Sequence, residues 1–208
     1  MSTYLTEQEQ VELLKNWIKQ YSVAILVGVV LAMLIIFSWR YWQERQHKLE
    51  THASIIFDEM LTARVQHDAD ALQPAMDKLL THYPRTVYAS FAALMLAREN
   101  LKHLNYAEAK KQLNWVLMYS NIPSLREITR LRLARVLIAE KDPKAGIAIL
   151  DKVDDKHFDG LINEIKGDAY LTMNQPVLAR EWYQKALDTL PNAEVIRPLL
   201  QMKYDNLA

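Results

Sequence analysis

The hydrophobic pattern of the chain begins with one long apolar stretch and continues as a series of shorter amphipathic segments. No charged residue lies between Lys19 and Arg40, and the run from Val23 to Phe37, VAILVGVVLAMLIIF, is apolar throughout. A helix rises about 1.5 Å per residue, so residues 20–39 cover roughly 30 Å, the thickness of a bilayer's hydrocarbon core. The pattern therefore predicts a transmembrane helix at residues 20–39, with residues 1–19 forming a segment that either lies along the membrane surface or lengthens the membrane helix.

Aromatic residues flank this predicted span on both sides. They are Trp17 and Tyr21 at one edge, and Trp39, Tyr41 and Trp42 at the other. Such rings are enriched where a membrane meets water, so we expect these five at the membrane interface. A buried core helix and a cleaved signal peptide are the alternatives. A signal peptide starts with basic residues and leaves its apolar run through small ones, whereas this segment has an acidic start and leaves through WRYW.

Three small residues, Ala24, Gly28 and Ala32, follow one another at intervals of four within the predicted span. Because this spacing places them on one face of a helix, they would let another membrane helix approach closely. Ala and Gly are also common in membrane helices without such a role. The strip is therefore either a docking face for a partner's helix or ordinary membrane composition.

The charge balance excludes some functions and leaves the orientation open. Lysine and arginine number 25, as do aspartate and glutamate, so the chain lacks the basic excess that nucleic-acid binding requires. Lys15 and Lys19 precede the span, and Arg40, Arg45 and Lys48 follow it, a difference too small to orient the helix by the positive-inside rule. Cysteine is absent, so disulfides and Cys-based zinc sites are excluded.

The rest of the chain, residues 40–208, has the pattern of paired helices. Only four glycines occur in the chain, and breakers such as Asp142-Pro143 and Gln175-Pro176 recur every 15 to 20 residues beyond residue 70. Pro143 and Pro176 suit a first helical turn, and Ser124 with Glu127 suits a capping box. The membrane helix is expected to continue to about Gln66. We therefore predict an all-α chain, in which the anchor precedes an α-solenoid of about four hairpins and a final capping helix from about Asn192.

One segment, from Leu161 to Asn192, resembles a tetratricopeptide repeat. The matching positions are Gly167, Tyr170, Ala179, Tyr183, Ala186 and Pro191. In such a repeat the small residues let two helices touch, the aromatic residues fill the space beside them, and the proline ends the second helix. A second unit lies 33 residues upstream, with two weaker units before it. Stacked hairpins of this kind form an extended concave surface.

The sequence contains no catalytic or metal-binding motif, and no cofactor is predicted. None of the six histidines belongs to a zinc motif or is linked to a nucleophile. The concave face is the candidate site, as a groove for a peptide segment lined by the first helix of each hairpin. Its predicted residues are Phe91, Leu94, Arg98, Leu101, Ile128, Leu131, Arg135, Ile138, Leu161, Glu164, Asp168 and Leu171. Alternatively, the short array closes on itself or is filled by its own first helix.

Several segments together resemble the YfgM-type ancillary subunits of the SecYEG translocon. They are the acidic start YLTEQEQVELLKNWI, the exit WRYWQERQ, the segments LRLARVLIAEKD and IKGDAYL, and the ending QMKYDNLA. The resemblance implies a bacterial inner-membrane protein with a cytoplasmic N-terminus and a periplasmic repeat domain. It also implies partners, namely SecYEG, a PpiD-type membrane chaperone and unfolded secretory clients, and a role in passing emerging polypeptides to periplasmic chaperones. The alternatives are a tethered scaffold for another envelope complex and, with no motif to support it, an enzyme.

Overall fold

The computed structural model describes residues 7–190 and 195–207, which form nine α-helices, one 3₁₀ turn and no β-strand. The helices are α1 (Glu7–Gln66), α2 (Ala69–His82), α3 (Val87–Lys102), α4 (Tyr106–Tyr119), α5 (Pro123–Ala139), α6 (Pro143–Leu150), α7 (Asp159–Thr172), α8 (Pro176–Thr189) and α9 (Arg197–Asp205), and the 3₁₀ turn is Lys156–Phe158. The all-α class predicted from the sequence is confirmed.

The chain consists of two compact units, and the boundary between them lies between Leu49 and Glu50. The first contains the apolar part of α1. The second, which we call the repeat domain, contains α2 to α9 together with the last part of α1. Helix α1 ends at Gln66, as the absence of Gly and Pro from residues 29–73 predicted.

Four helical hairpins make up the repeat domain: α1–α2, α3–α4, α5–α6 and α7–α8. In each, a residue with positive φ lies one or two positions after the end of the first helix, and the N–H of the residue that follows it donates to a carbonyl five positions back. The residues with positive φ are His67, Leu104, Lys141 and Asn174, and the four bonds are Asp68 to Ala63, Asn105 to Asn100, Asp142 to Leu137, and Gln175 to Tyr170. This is the Schellman ending of a helix. Because one turn geometry occurs four times, the predicted solenoid of about four hairpins with a C-terminal helix is confirmed.

The same turns explain where most of the second helices begin. The side chains of Asp68, Asn105 and Asp142 each accept a hydrogen bond from a backbone N–H in the first turn of the helix that follows. Such caps contribute about 1 kcal/mol each. Pro143 and Pro176 occupy first turns as predicted. The capping box predicted at Ser124 is wrong, because α5 begins one residue earlier, at Pro123, after Ile122.

Alanine and leucine residues form the core as a row of clusters, each of which joins one hairpin to the next helix. Ala53, Met60 and Leu79 of the first hairpin pack with Ala89 and Ala92 of α3. Equivalent clusters join α3 and α4 to α5, and α5 and α6 to α7, and a last one joins α8 to α9. Contacts between neighbours alone are the mark of a solenoid.

Candidate interaction surfaces

The apolar stretch of α1 is exposed along its length. Phe37, Ile35 and Val23 are 69%, 69% and 73% exposed. The most apolar stretch of 18 residues in this helix contains no buried residue. Exposing so continuous an apolar surface to water is costly, whereas lipid accepts it. Helix α1 is long and apolar enough to cross a membrane. The chain thus fits a membrane-anchored protein.

The aromatic residues predicted at the membrane edges lie on the surface of α1. Trp17 is in ring contact with Tyr21, with centroids 5.5 Å apart, and Trp39 with Trp42, with centroids 5.6 Å apart. Tyr41 is 70% exposed. Ala24 and Ala32 are exposed, and a Cβ added at Gly28 would meet no atom within 4 Å. The strip of small residues is therefore an open face in this chain.

The repeat signature lies at the contact between α7 and α8. Tyr183 is fully buried, and its ring lies so close to Gly167 that a Cβ there would overlap ring carbons. Ala179 and Ala186 are also fully buried, and the Tyr170 ring stacks on Trp182 with centroids 6.1 Å apart. Pro191, the last signature position, lies outside the described residues.

The residues predicted to line the concave groove differ in exposure. Phe91, Arg98, Arg135 and Leu171 are exposed, whereas Leu101, Ile128, Leu161 and Asp168 are half-buried. Leu94, Leu131, Ile138 and Glu164 are buried. Leu94 and Leu131 pack within the core clusters that join neighbouring hairpins, so they do not form an open surface. Ile138 is in the core too, but one side of it borders a cavity.

Charged residues form a network across the first helices of the last hairpins and α9. The guanidinium of Arg135 on α5 pairs with the carboxylate of Glu164 on α7. The Lys203 amine on α9 lies 2.6 Å from Glu164 Oε1 and 2.7 Å from Asp168 Oδ1. Asp168 Oδ1 also accepts a hydrogen bond of 2.7 Å from the hydroxyl of Tyr183. One network thus connects α5, α7, α8 and α9.

The pKa values of two groups in this network are displaced. Burial raises the pKa of the Tyr183 hydroxyl far above its ordinary value, and the hydrogen bond to Asp168 adds to the effect, so the hydroxyl stays a donor. Burial alone would lower the pKa of Lys203, but the hydrogen bonds to Asp168 and Glu164 outweigh it and raise the pKa above 10.5. Lys203 is therefore charged at neutral pH.

A cavity of about 570 Å³ borders this network between α5, α7 and α9. Its wall includes Arg135, Ile138 and Asp168 with Leu199 and Lys203. At this end of the array the C-terminal helix covers part of the predicted groove. No role was predicted for Lys203. The sequence does contain one indication of such a residue. Glu164 and Asp168 are two acidic residues one helical turn apart, and two neighbouring carboxylates are stabilised by a cation.

Near the other end, the first helices leave an aromatic patch open. The Phe57 ring on α1 lies 5.6 Å from the Tyr88 ring and 6.4 Å from the Phe91 ring of α3, between centroids. Phe91 is 42% exposed. Arg98, two turns further along α3, is exposed as well. The described residues of the predicted groove therefore combine an exposed aromatic ring and a cation on α3 with a charged end that α9 partly covers.

Comparison with known proteins agrees with these features. The family model of a tetratricopeptide repeat-like domain matches residues 15–208. Relatives named ancillary SecYEG translocon subunit align over the whole chain and over their own full length: the Escherichia coli K12 and Neisseria gonorrhoeae proteins are 28% identical, and the Haemophilus influenzae protein is 26% identical. No solved structure gives a significant match.

Proposed function

Since the chain belongs to the tetratricopeptide repeat-like domain family, we propose that it is a non-enzymatic, membrane-anchored subunit that binds other proteins beside the SecYEG translocon. In this role it passes emerging secretory polypeptides to periplasmic chaperones, among them a PpiD-type membrane chaperone. The observation that carries the proposal is the alignment with ancillary SecYEG translocon subunits along the whole chain, anchor and repeats together.

The proposed arrangement places residues 1–19 in the cytoplasm, residues 20–39 across the inner membrane and residues 40–208 in the periplasm. The exposed apolar helix supports the anchor. The aromatic residues at 17, 21, 39, 41 and 42 are consistent with the two ends of the span at the membrane–water interfaces. Ala24, Gly28 and Ala32 offer a face on which a translocon helix would pack closely, because Ala24 and Ala32 are exposed and no atom of the described residues would meet a Cβ at Gly28.

The orientation is testable with single cysteines, because the chain has none of its own. We expect Val65→Cys, 79% exposed at the end of α1, to react with a membrane-impermeant maleimide in intact spheroplasts. Glu12→Cys, exposed before the span, should react only after lysis, because the bilayer shields it. The cysteine-free chain is the control. The reverse labelling pattern would contradict the proposed orientation.

The concave face supplies the proposed binding surface for clients and chaperones. Phe91 and Arg98 are exposed on α3, and Leu171 is 44% exposed at the end of α7. Apolar side chains with a few charges suit an extended or helical segment of another polypeptide. Binding through so few exposed groups would be weak and reversible, which is what a transfer step requires.

In-cell photo-crosslinking tests this role directly. With a photoreactive amino acid at Arg98, we expect adducts containing a SecYEG subunit, a periplasmic chaperone or a secretory polypeptide, since the position faces the proposed groove. Val177, 72% exposed on the second helix α8, is the matched control and should give several-fold fewer such adducts.

The identity of the adducts decides between the candidate functions. Adducts at Arg98 that contain components of a different envelope complex, and no translocon or chaperone component, would favour a tethered scaffold and reject the translocon role. Equal yields of the same adducts at Arg98 and Val177 would reject the concave face as the binding surface.

A further inference from the structure

A second cavity, of about 510 Å³, lies in the repeat domain between the end of α1, α2 and the second half of α3. Its wall is formed by Met60, Met76 and Met95 together with Leu72 and Leu96. Met60 and Met76 are almost fully buried, and the other three side chains are half-buried. The wall is thus mainly apolar, with His67 and Gln73 among its polar members, and in large part belongs to the folded core.

Methionine is unusually concentrated around this cavity. Three of the chain's eight methionines line it. A methionine side chain is unbranched, flexible and polarisable, so it adapts to apolar groups of different shape. Surfaces that accept many partners use methionine for this reason. The wall therefore suits apolar side chains from unrelated sequences better than one fixed ligand.

The rim of the cavity carries an excess of positive charge. Lys102 pairs with Glu99 at 2.9 Å, and this hydrogen bond lowers the pKa of Glu99, which keeps the pair ionised. Arg64, exposed in the last turn of α1, makes no ion pair with any carboxylate in the described part of the chain. Arg64 acts on the Glu99 carboxylate through its charge alone, without an ion-pair contact. Arg64 and Lys102 together exceed Glu99 by one positive charge, which a negatively charged group on a bound molecule would offset.

We propose that this cavity binds unfolded polypeptide segments in which a large apolar side chain is followed by acidic residues. The apolar side chain enters between the methionines, and a carboxylate pairs with Arg64. The inference rests on the proposed function for the identity of the partner, an unfolded secretory client. It adds a binding site at the first hairpin that shares no residue with the predicted groove.

Peptide binding to the full-length protein in lipid nanodiscs tests the proposal, since detergent would itself enter an apolar cavity. The probe is a fluorescein-labelled peptide, Gly-Ser-Phe-Leu-Asp-Asp-Ser-Gly, measured by fluorescence anisotropy. One comparison peptide carries lysine in place of both aspartates, and another carries alanine in place of Phe and Leu. We expect the acidic apolar peptide to bind at least threefold more tightly than the lysine peptide and tenfold more tightly than the alanine peptide.

Two variants locate the binding. Ala69→Trp places a large ring at the mouth of the cavity, from an exposed position in the first turn of α2, and should weaken binding at least tenfold. Its matched control is Ala71→Trp, an exposed position that does not line this cavity. Arg64→Gln should weaken the acidic peptide about threefold and leave the lysine peptide unchanged, consistent with the modest strength of an exposed ion pair. Lys78→Gln, an exposed cation outside the cavity, should change neither.

The outcomes separate this inference from the function on which it rests. The proposal is overturned if the acidic peptide fails to bind at millimolar concentration, if Ala69→Trp and Ala71→Trp bind it equally, or if the lysine peptide binds as tightly as the acidic one. Should Ala69→Trp lose helical signal, the Arg64→Gln pair of measurements decides. If Arg98 gives no crosslinks to a translocon or chaperone component but the acidic peptide still binds, the proposed function is rejected. The specificity proposed for the cavity then still holds.

Discussion

Replacing Tyr183 with alanine is expected to lower the free energy of unfolding of the repeat domain by about 3–5 kcal/mol, the range for removing a large buried aromatic side chain. Tyr183 is fully buried between α7 and α8, where its ring fills the space above Gly167. Its hydroxyl donates to Asp168, so the substitution also removes a hydrogen bond to a charged group. Urea unfolding of the full-length protein, followed by circular dichroism, measures the change.

Matched variants separate the two contributions of Tyr183. Tyr183→Phe keeps the ring and should cost about 1.5–3 kcal/mol, the value of a hydrogen bond to a charged group. Tyr119→Ala removes a tyrosine that is 36% exposed on α4 and should cost clearly less than Tyr183→Ala. A loss below about 1 kcal/mol for Tyr183→Ala would mean that α7 and α8 do not pack through this ring.

The facing glycine gives an internal check on the same contact. Alanine in a helix is ordinarily more favourable than glycine by about 1 kcal/mol. At position 167 we expect it to be unfavourable, because its Cβ would overlap the Tyr183 ring. In the Tyr183→Ala background the clash disappears, so Gly167→Ala should become neutral or favourable. Additive effects of the two substitutions would show that the residues do not interact.

Replacing Lys203 with alanine is expected to lower the free energy of unfolding by about 2–4 kcal/mol. The amine lies within 2.9 Å of oxygens from both Glu164 and Asp168, and the Glu164 side chain is only 4% exposed. Removing one partner of a buried ion pair costs about 3–5 kcal/mol. We expect a smaller loss, because Arg135 still neutralises Glu164.

The control for Lys203 and its pH dependence follow from the same contacts. Lys111 pairs with Glu108 on the surface of α4, so Lys111→Ala should change the stability by no more than about 0.5 kcal/mol. The pKa of Lys203 is raised on folding, so its contribution is complete below pH 10.5 and is lost as the pH rises through the folded-state value. The difference in stability between wild type and Lys203→Ala should therefore be constant from pH 7 to about 9 and shrink above about 10.5. A difference that grows with pH in that upper range would contradict the proposed ion pairs.

Local sequence signals were sufficient for most of the helices and for the long apolar segment. The uncharged run between Lys19 and Arg40 specifies an exposed apolar helix by composition alone, and residues such as Asp68 and Asp142 start helices through bonds to the next few residues. Gly167 and Tyr183 could be assigned in advance to the contact between the two helices of one hairpin, because a hairpin brings residues about 16 positions apart close together. In each case the interacting groups are close in sequence, so the local sequence pattern was enough to predict the contact.

Contacts between distant segments were decided by the tertiary structure. Lys203 meets Glu164 across 39 residues, and no local pattern places α9 against α7. Leu94 and Leu131 have the spacing predicted for groove residues but lie in the core. The first helix of an inner hairpin packs against its own partner helix and against the neighbouring hairpin, so it buries more than one face. The cavity lined by methionine arises where three helices leave space between them. Such features depend on how preformed hairpins fit together, and that fit is a property of side-chain volumes and charges summed over the whole stack.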